Sequence, residues 1–295
     1  MFSGFIALNK PRGISSQQAV SKIKFLLKQK GMTIDKIGHL GTLDPDADGV
    51  LIIALGRATR LFDYHLSKRK SYYSEFVFGV ETDTLDTTGQ IINKSDKIID
   101  RPLILAILPN FIGTLNQTPP NFSAKLINGV RAYKLARKKQ EIELAPKNIT
   151  IFSFDLVDAN LNDSYTYGFN IVCSSGTYIR SLARDLGRAL DTFGSTRSIT
   201  RTSSGSFHIN DTVTLDHITN SNNTDYLLSL DDYIKRNFEI CIISPQYEKQ
   251  ILNGVPVQLD RLPTESIFAV YLKEKLLGLG KVIYYNSIKI DTWLI

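Results

Sequence analysis

The chain has 295 residues, 43% hydrophobic and 22% charged, with a formal net charge of +6. That composition supports a folded protein of one large domain plus a small one, mildly basic and so suited to an anionic partner. It argues against several classes: two cysteines, Cys173 and Cys241, cannot build a disulfide framework, four scattered histidines show no zinc-ligand spacing, and no apolar stretch approaches membrane-spanning length. The start "MFSGFIALNKPRG" has no basic region leading into an apolar one, so no signal peptide is read and a cytoplasmic protein is expected.

In chain order, "GFIAL" (4–8) predicts a strand and "KPRG" (10–13) a turn. Ser15 or Ser16 can cap a helix whose apolar residues Ala19, Val20, Ile23, Leu26 and Leu27 share a face. "VLIIAL" (50–55) reads as a buried strand, "SYYSEFVFG" (71–79) as an aromatic-rich strand, and "ETDTLDTTG" (81–89) as a polar loop. A weak helix is expected over 101–111 and a hairpin at Asn128-Gly129, followed by a helical "AYKLARKKQ". "YGFNIVCS" (167–174) predicts a strand, "GTYIRSLARDLGRAL" (176–190) a helix, and "SITRTSSGSFHI" (198–209) a polar strand. Strands and helices interleave over residues 1–235, which predicts a mixed α/β or α+β domain. Residues 240–295 repeat short apolar segments broken by Gly and Pro and predict a small β module.

The stretch "GHLGTLDPDADGVL" (38–51) carries alternating aspartates, Asp44, Asp46 and Asp48, like the opening of a calcium loop. The twelfth position of such a loop needs a bidentate carboxylate; here it is Leu55, inside the apolar run, and Pro45 fixes φ at the second position. The alternative is that Asp44, held in extended or turn backbone by the following proline, presents a carboxylate at the mouth of a sheet. Taken alone, "LDP" also fits an aspartate capping its own turn. The basic runs "SKRK" (67–70) and "ARKKQ" (136–140) fit either a solvated surface or an anion-binding one.

Together, "KPRGISS", "GHLGTLDPDADGVL", "KSYYSEFVFGVETDTLDTTG", "PPNFSAKLINGVRAYKLAR" and "CSSGTYIRSLARDLG" resemble the bacterial TruB family, tRNA pseudouridine synthases acting on uridine 55 of the T-loop. The likeness runs in order from about residue 4 to 207. It implies a pseudouridine synthase fold, a central mixed sheet with an active-site cleft, and neither metal nor cofactor. The family's catalytic aspartate falls on Asp44, its active-site tyrosine on Tyr72 and its active-site arginine on Arg180, with Tyr178 lining the pocket and His39 near the flipped nucleotide. The implied partner is tRNA, through its T-arm and acceptor stem, bound by a monomer away from any membrane. Lys10, Arg12, Lys68, Arg69, Lys70, Arg137, Lys138, Lys139 and Arg201 are then candidate RNA contacts, positioning the backbone without reading its sequence.

These residue types suit the reaction. Turning uridine into pseudouridine breaks the N1–C1′ bond, rotates the uracil and joins C5 to C1′, with no electron or group supplied from outside. One ionised carboxylate can serve as covalent partner or base. An arginine, always charged, opposes the desolvation that would protonate it, and an aromatic face can stack the extruded base. The sequence departs from the family at Asp46 and Asp48, both expected to face solvent. It also departs at Thr200-Arg201-Thr202, read where the family carries Leu-Arg-Arg, which leaves the apolar wall of the uracil pocket unaccounted for. The tail, through "ILNGVPV" and "FAVYLKEKLLGLGKV", resembles the PUA-like RNA-binding module of many relatives; the alternative is a β cap completing the core.

Overall fold

The computed structural model describes residues 2–295 apart from 124, 128, 133–134, 136–143, 158–164 and 285. The predicted helix "AYKLARKKQ" and the candidate contacts Arg137, Lys138 and Lys139 lie almost wholly outside the described residues.

The strands, in chain order, are β1 (Gly4–Lys10), β2 (Ile37–His39), β3 (Asp48–Leu55), β4 (Lys70–Phe78), β5 (Val80–Thr82), β6 (Ile91–Lys94) and β7 (Gly113–Gln117). There follow β8 (Leu126–Ile127), β9 (Val130–Arg131), β10 (Lys147–Val157), β11 (Thr166–Cys173), β12 (Gly194–Ser204), β13 (Phe207–His208) and β14 (Leu228–Ser229). The tail supplies β15 (Ile240–Ile243), β16 (Val257–Gln258), β17 (Phe268–Leu272), β18 (Lys275–Val282) and β19 (Ser287–Trp293). A ten-stranded sheet runs β14-β1-β3-β12-β4-β11-β10-β7, with β2 on β3 and β13 on β12. β3 pairs with β12 in parallel while its other described strand pairs are antiparallel, which makes the sheet mixed. The tail forms a separate five-stranded sheet, β15-β17-β18-β19-β16.

The apolar run of β3 is continuous because both of its faces are covered. On one face Leu51, Ile53 and Leu55 join Ile6 and Leu8 beneath Ala19, Val20, Ile23 and Leu27 of the helix Ser16–Gln29. Ser15 caps that helix in a reciprocal capping box with Gln18. On the other face Val50, Ile52 and Ala54, with Phe5 and Ala7, meet Tyr233 and Ile234 of the helix Leu230–Asn237 and Ala269, Tyr271, Leu279 and Leu294 of the tail. The opposite side of the tail sheet has its own core of Ile243, Phe268, Val270, Leu277 and Ile288. The tail is therefore both a sheet with its own core and a cover for the large one.

Most predicted elements are present, with shifted ends. The helix expected from residue 176 begins at Ile179, that over 101–111 is a helix to Ile107 followed by a tighter turn, and the polar strand occupies 194–204 before turning back as β13. The hairpin pairs Leu126–Ile127 with Val130–Arg131, and Gly129 has φ +80. The first residues of the predicted polar loop pair as β5 with β6. Sequence reading missed β10, although "KNITIFSFDLV" places Ile149, Ile151, Phe154 and Leu156 in the core.

Candidate active site

The site is built where β3, β4 and β12 bring their ends together with the N-terminus of the helix Ile179–Ala189. The loop Gly41–Ala47 enters β3 here, and the structure pins its backbone almost residue by residue. Arg201, 1% exposed, donates from Nε to Val50 O (2.7 Å) and from its two Nη atoms to Thr42 O (3.3 Å) and Gly41 O (3.1 Å). Ser16 Oγ donates to Leu43 O (2.9 Å) and accepts from Leu43 N–H (2.8 Å). Lys10 Nζ donates to the carbonyls of Pro11, Ile14 and Pro45 at 2.8, 2.7 and 3.2 Å. Gly49, with φ +97, is required where β3 meets the Arg201 backbone, because a side chain there would collide with it.

What this scaffold leaves free is the Asp44 carboxylate. Its Oδ2 lies 2.7 Å from Arg180 Nη2, with 44% of the aspartate side chain exposed and 6% of the arginine. Arg180 is fixed by donating to Thr84 O (2.7 Å) and Phe122 O (2.9 Å), and Asp86 Oδ2 stands 3.8 Å away. Asp86 is itself held by the Thr84 and Thr88 hydroxyls at 2.8 and 2.6 Å. Leu85, buried with φ +61, is the strained corner of that loop, and its carbonyl accepts from Thr196. A unit pair at 4 Å attracts by about 4 kcal/mol at an effective dielectric near 20, and solvent on the open side of Asp44 reduces this.

Asp44 and Arg180 line a cleft of about 440 Å³, walled by Leu43, Leu66, Tyr72, Tyr178, Ile179 and Ile199 with Lys70 and Arg201 below. Tyr72 is 8% exposed; burial pushes its phenol up to about 12, with Arg201 beside it acting in the opposite direction. At neutral pH this tyrosine is protonated, offering a ring face and a hydrogen bond rather than a base. Tyr178 is placed by a reciprocal pair of hydrogen bonds between its backbone and the Gln117 amide. Ile199, just before Thr200-Arg201-Thr202, adds an apolar side chain to the cleft wall. A second hollow, about 520 Å³ between β4, β6 and β12, is lined by none of the candidate catalytic or RNA-contacting residues.

Several expected roles change. Lys10 is fully buried and Lys70 is 4% exposed, with its ammonium on Leu66 O (3.3 Å) and Lys68 O (3.1 Å). Desolvation lowers both lysines to about 8. Lys10 donates to three backbone carbonyls and Arg201 to three more, so both shape the loop around Asp44 from beneath. Arg12 pairs with Asp48 at 2.7 Å, so Asp48 is half-buried rather than facing solvent, whereas Asp46 is exposed. The three aspartates thus diverge to Arg180, solvent and Arg12, which is no calcium cage, and Leu55 is fully buried. His39 ends β2, half-buried and outside the cleft wall; burial, then Arg201, push its imidazole below the usual range. Lys68 and Arg69 are exposed and lie over the rings of Phe238 and Phe152. Sequence reading missed Ser16, Gln117 and Asp86; only Asp86 had a signal, its place in an Asp/Thr-dense loop.

Comparison with solved structures gives the same fold. "Structure of H/ACA RNP bound to a substrate RNA containing 2'-deoxyuridine" superposes with a TM-score of 0.70 at 19% identity, covering 99% of this chain and 85% of that one. "Crystal structure of the archaeal box H/ACA sRNP Nop10-Cbf5 complex" does so with 0.69 at 21%, covering 99% and 86%. The family described as "TruB family pseudouridylate synthase (N terminal domain)" matches residues 28–179. Among curated proteins, "tRNA pseudouridine synthase B" of Clostridium kluyveri is 36% identical over 282 residues, 94% of each chain. The protein of the same name from Ehrlichia chaffeensis is 39% identical over 265 residues, 88% of this chain and 87% of the relative. Fold and sequence together define the class, a pseudouridine synthase, an isomerase. Within that class, the chain belongs to the TruB family.

Proposed function

We propose that this protein converts a uridine of tRNA, in the T-loop, to pseudouridine, with Asp44 as the catalytic carboxylate. The observation that carries the reading is the 2.7 Å pair between the accessible Asp44 and the buried Arg180, at the mouth of a cleft walled by Tyr72, Tyr178 and Ile199. The names of the curated relatives support the tRNA substrate. A base stacked in a loop cannot reach this cleft, so it must be extruded, at a cost of roughly a few kcal/mol that contacts elsewhere on the RNA offset. Once inside, the uracil meets the Tyr72 face on one side and apolar Ile199 and Leu43 on another. Asp44 lies between the cleft and solvent, where the sugar of an extruded nucleotide would stand. Arg180 holds the carboxylate at 2.7 Å as water leaves, and no step requires a group from outside the chain.

Asp44→Asn keeps the shape and removes the charge. Pseudouridine mapping in tRNA treated with this variant is expected to show a loss of at least about 1,000-fold in rate, while hairpin binding and melting temperature stay near those of the unaltered protein. Turnover within tenfold of the unaltered protein removes Asp44 from the reaction. Modification of a tRNA uridine outside the T-loop corrects the position and leaves the chemistry in place.

A further inference from the structure

We infer that Lys147 forms a phosphate-binding subsite at the mouth of the cleft, taking one of the two backbone phosphates that flank the extruded uridine. The inference rests on the proposed action on RNA and adds a contact to the backbone of the reacting nucleotide.

Lys147 lies outside both basic runs of the sequence and opens β10. Strand alternation fixes its face. Ile149 and Ile151 are core residues at 2% and 1% exposure, so Lys147 leaves the same side of the sheet. Ile151 is the Cα partner of Cys173, and Cys173 of Lys70, so this is the face that carries Lys70 and Tyr72 into the cleft. Across the other edge of β10 the partner of Lys147 is Gln117, whose amide holds the Tyr178 backbone.

The side chain reaches the cleft wall itself. A Cβ on Gly176 would lie 2.6 Å from Lys147 Nζ, so the ammonium rests over this glycine, whose φ is +80. The turn it crosses is tied to β10. Ser174 N–H donates to Thr150 O and Ser174 Oγ accepts from Thr150 N–H, both at 2.8 Å, and Thr177 Oγ1 donates to Ser174 O (2.9 Å). Among the described residues lining the cleft, Asp44 is the one carboxylate against Lys70, Lys125, Lys147, Arg180 and Arg201. Four of these cations are committed: Arg180 to Asp44, Lys70 and Arg201 to backbone carbonyls, and Lys125 to Ala145 O (3.0 Å). Lys147 is exposed, and among the described residues no carboxylate pairs with it. A nucleotide whose base enters the cleft leaves its sugar and flanking phosphates at the mouth, where this charge stands. An exposed lysine is ordinarily a solvated one. One that turns back over a glycine of the wall, in a cleft with a surplus of cations, is placed for a phosphate oxygen.

The test couples the lysine to the phosphate. T-arm hairpins carry an uncharged methylphosphonate in place of the phosphate on one or the other side of the target uridine, next to a 2′-O-methyl sugar that keeps the linkage intact. Matched controls carry the 2′-O-methyl sugar alone. Each RNA is titrated into the unaltered protein, Lys147→Met and Lys147→Arg. Lys147→Met is expected to bind the controls about tenfold more weakly and to lower the slope of log K against log salt by about 0.7. One of the two methylphosphonates weakens binding to the unaltered protein by a similar factor and has no further effect on Lys147→Met. Lys147→Arg, which keeps the charge, stays within about threefold of the unaltered protein on the controls. Methylphosphonate losses of equal size in the unaltered protein and in Lys147→Met overturn the subsite, as does control binding by Lys147→Met equal to that of the unaltered protein. A purely structural loss in Lys147→Met gives the first of these results, since it weakens every RNA alike. If the unaltered protein fails to bind the hairpins, the RNA reading falls and this proposal with it; if it binds and only the coupling is missing, the RNA reading stands.

Discussion

At Arg180 two carboxylates and two backbone carbonyls converge on one guanidinium, and that crowding decides what its replacement does. Lysine carries the charge but cannot bond Thr84 O, Phe122 O and Asp44 with the same fork. Arg180→Lys is expected to lower kcat on the order of 100-fold with KM changed by less than threefold, as steady-state kinetics on a hairpin will show. A rise in KM alone assigns Arg180 to phosphate binding instead. A second residue-scale effect comes from His65, fully buried between Ser204 Oγ (3.1 Å) and Tyr233 OH (3.4 Å). Desolvation, then Lys70, Arg201 and Lys68, push its imidazole down to about 3 from 6.5. The folded state therefore refuses a proton that the unfolded chain accepts below pH 6.5. The stability that neutral His65 contributes is complete above pH 6.5 and lost as pH falls from there toward 3, at up to about 1.4 kcal/mol per unit. Urea unfolding between pH 7 and 5 is expected to show about 2 kcal/mol more loss in the unaltered protein than in His65→Gln. Parallel curves for the two proteins place the titration elsewhere.

Among the elements, the "KPRG" turn works as a clamp on the Asp44 loop. Lys10 Nζ and the Gly13 N–H both reach Pro45 O, and Ser16 grips Leu43, so the residues on either side of Asp44 are held while its side chain is left out. Lys10→Met retains the length of the side chain, removes the Lys10 donor from the Pro11 and Ile14 carbonyls and leaves Pro45 O with the Gly13 N–H alone. It is expected to cost about 3 kcal/mol in stability and to lower kcat, with the salt dependence of RNA binding unchanged. If Lys10 touched phosphate, the salt slope would instead fall by about one unit and affinity would drop at every sequence. Its complete burial makes the first outcome the expected one.

For the whole molecule, the tail is tied to the active site through the segment 56–66. Arg57 and Arg60 donate to Leu294 O (3.1 Å) and Trp293 O (2.5 Å), and Tyr64 OH lies 3.1 Å from both Asp291 and Thr292. That segment ends in Leu66, which lines the cleft and packs near Gly41. A tail acting only as an RNA tether would, when deleted, weaken tRNA binding and leave kcat unchanged. The shared core predicts otherwise, because removing residues 240–295 takes Ala269, Tyr271, Leu279 and Leu294 out of the cluster that holds Phe5, Val50, Ile52 and Ala54. The truncated chain is expected to melt many degrees lower or fail to fold, and any folded fraction to show reduced kcat even on a short hairpin. Unchanged melting and kcat would falsify the structural coupling and restore the tether.

The sequence by itself determined the local elements and the candidates for the reacting groups. Apolar runs such as "VLIIAL" become strands wherever they are buried, Ser15 caps its helix through Gln18 three residues away, and Pro45 keeps Asp44 out of helical backbone; each is a short-range effect. The ordered motifs carried Asp44, Tyr72 and Arg180 for the same reason, since residue type and spacing are preserved along a chain. Only the tertiary structure decided which charges face solvent. Lys10, Lys70 and Arg201 read as surface cations, yet each is buried, because backbone carbonyls of the Asp44 loop and of residues 66–68 converge where one long cation can satisfy several at once. Gln117 and Asp86 likewise acquire their roles from contacts across 61 residues to Tyr178 and, through Thr84, 96 residues to Arg180. The tail, too, takes its second role from a face of the large sheet that no local pattern describes, because the residues that meet there are brought together only when both sheets have formed.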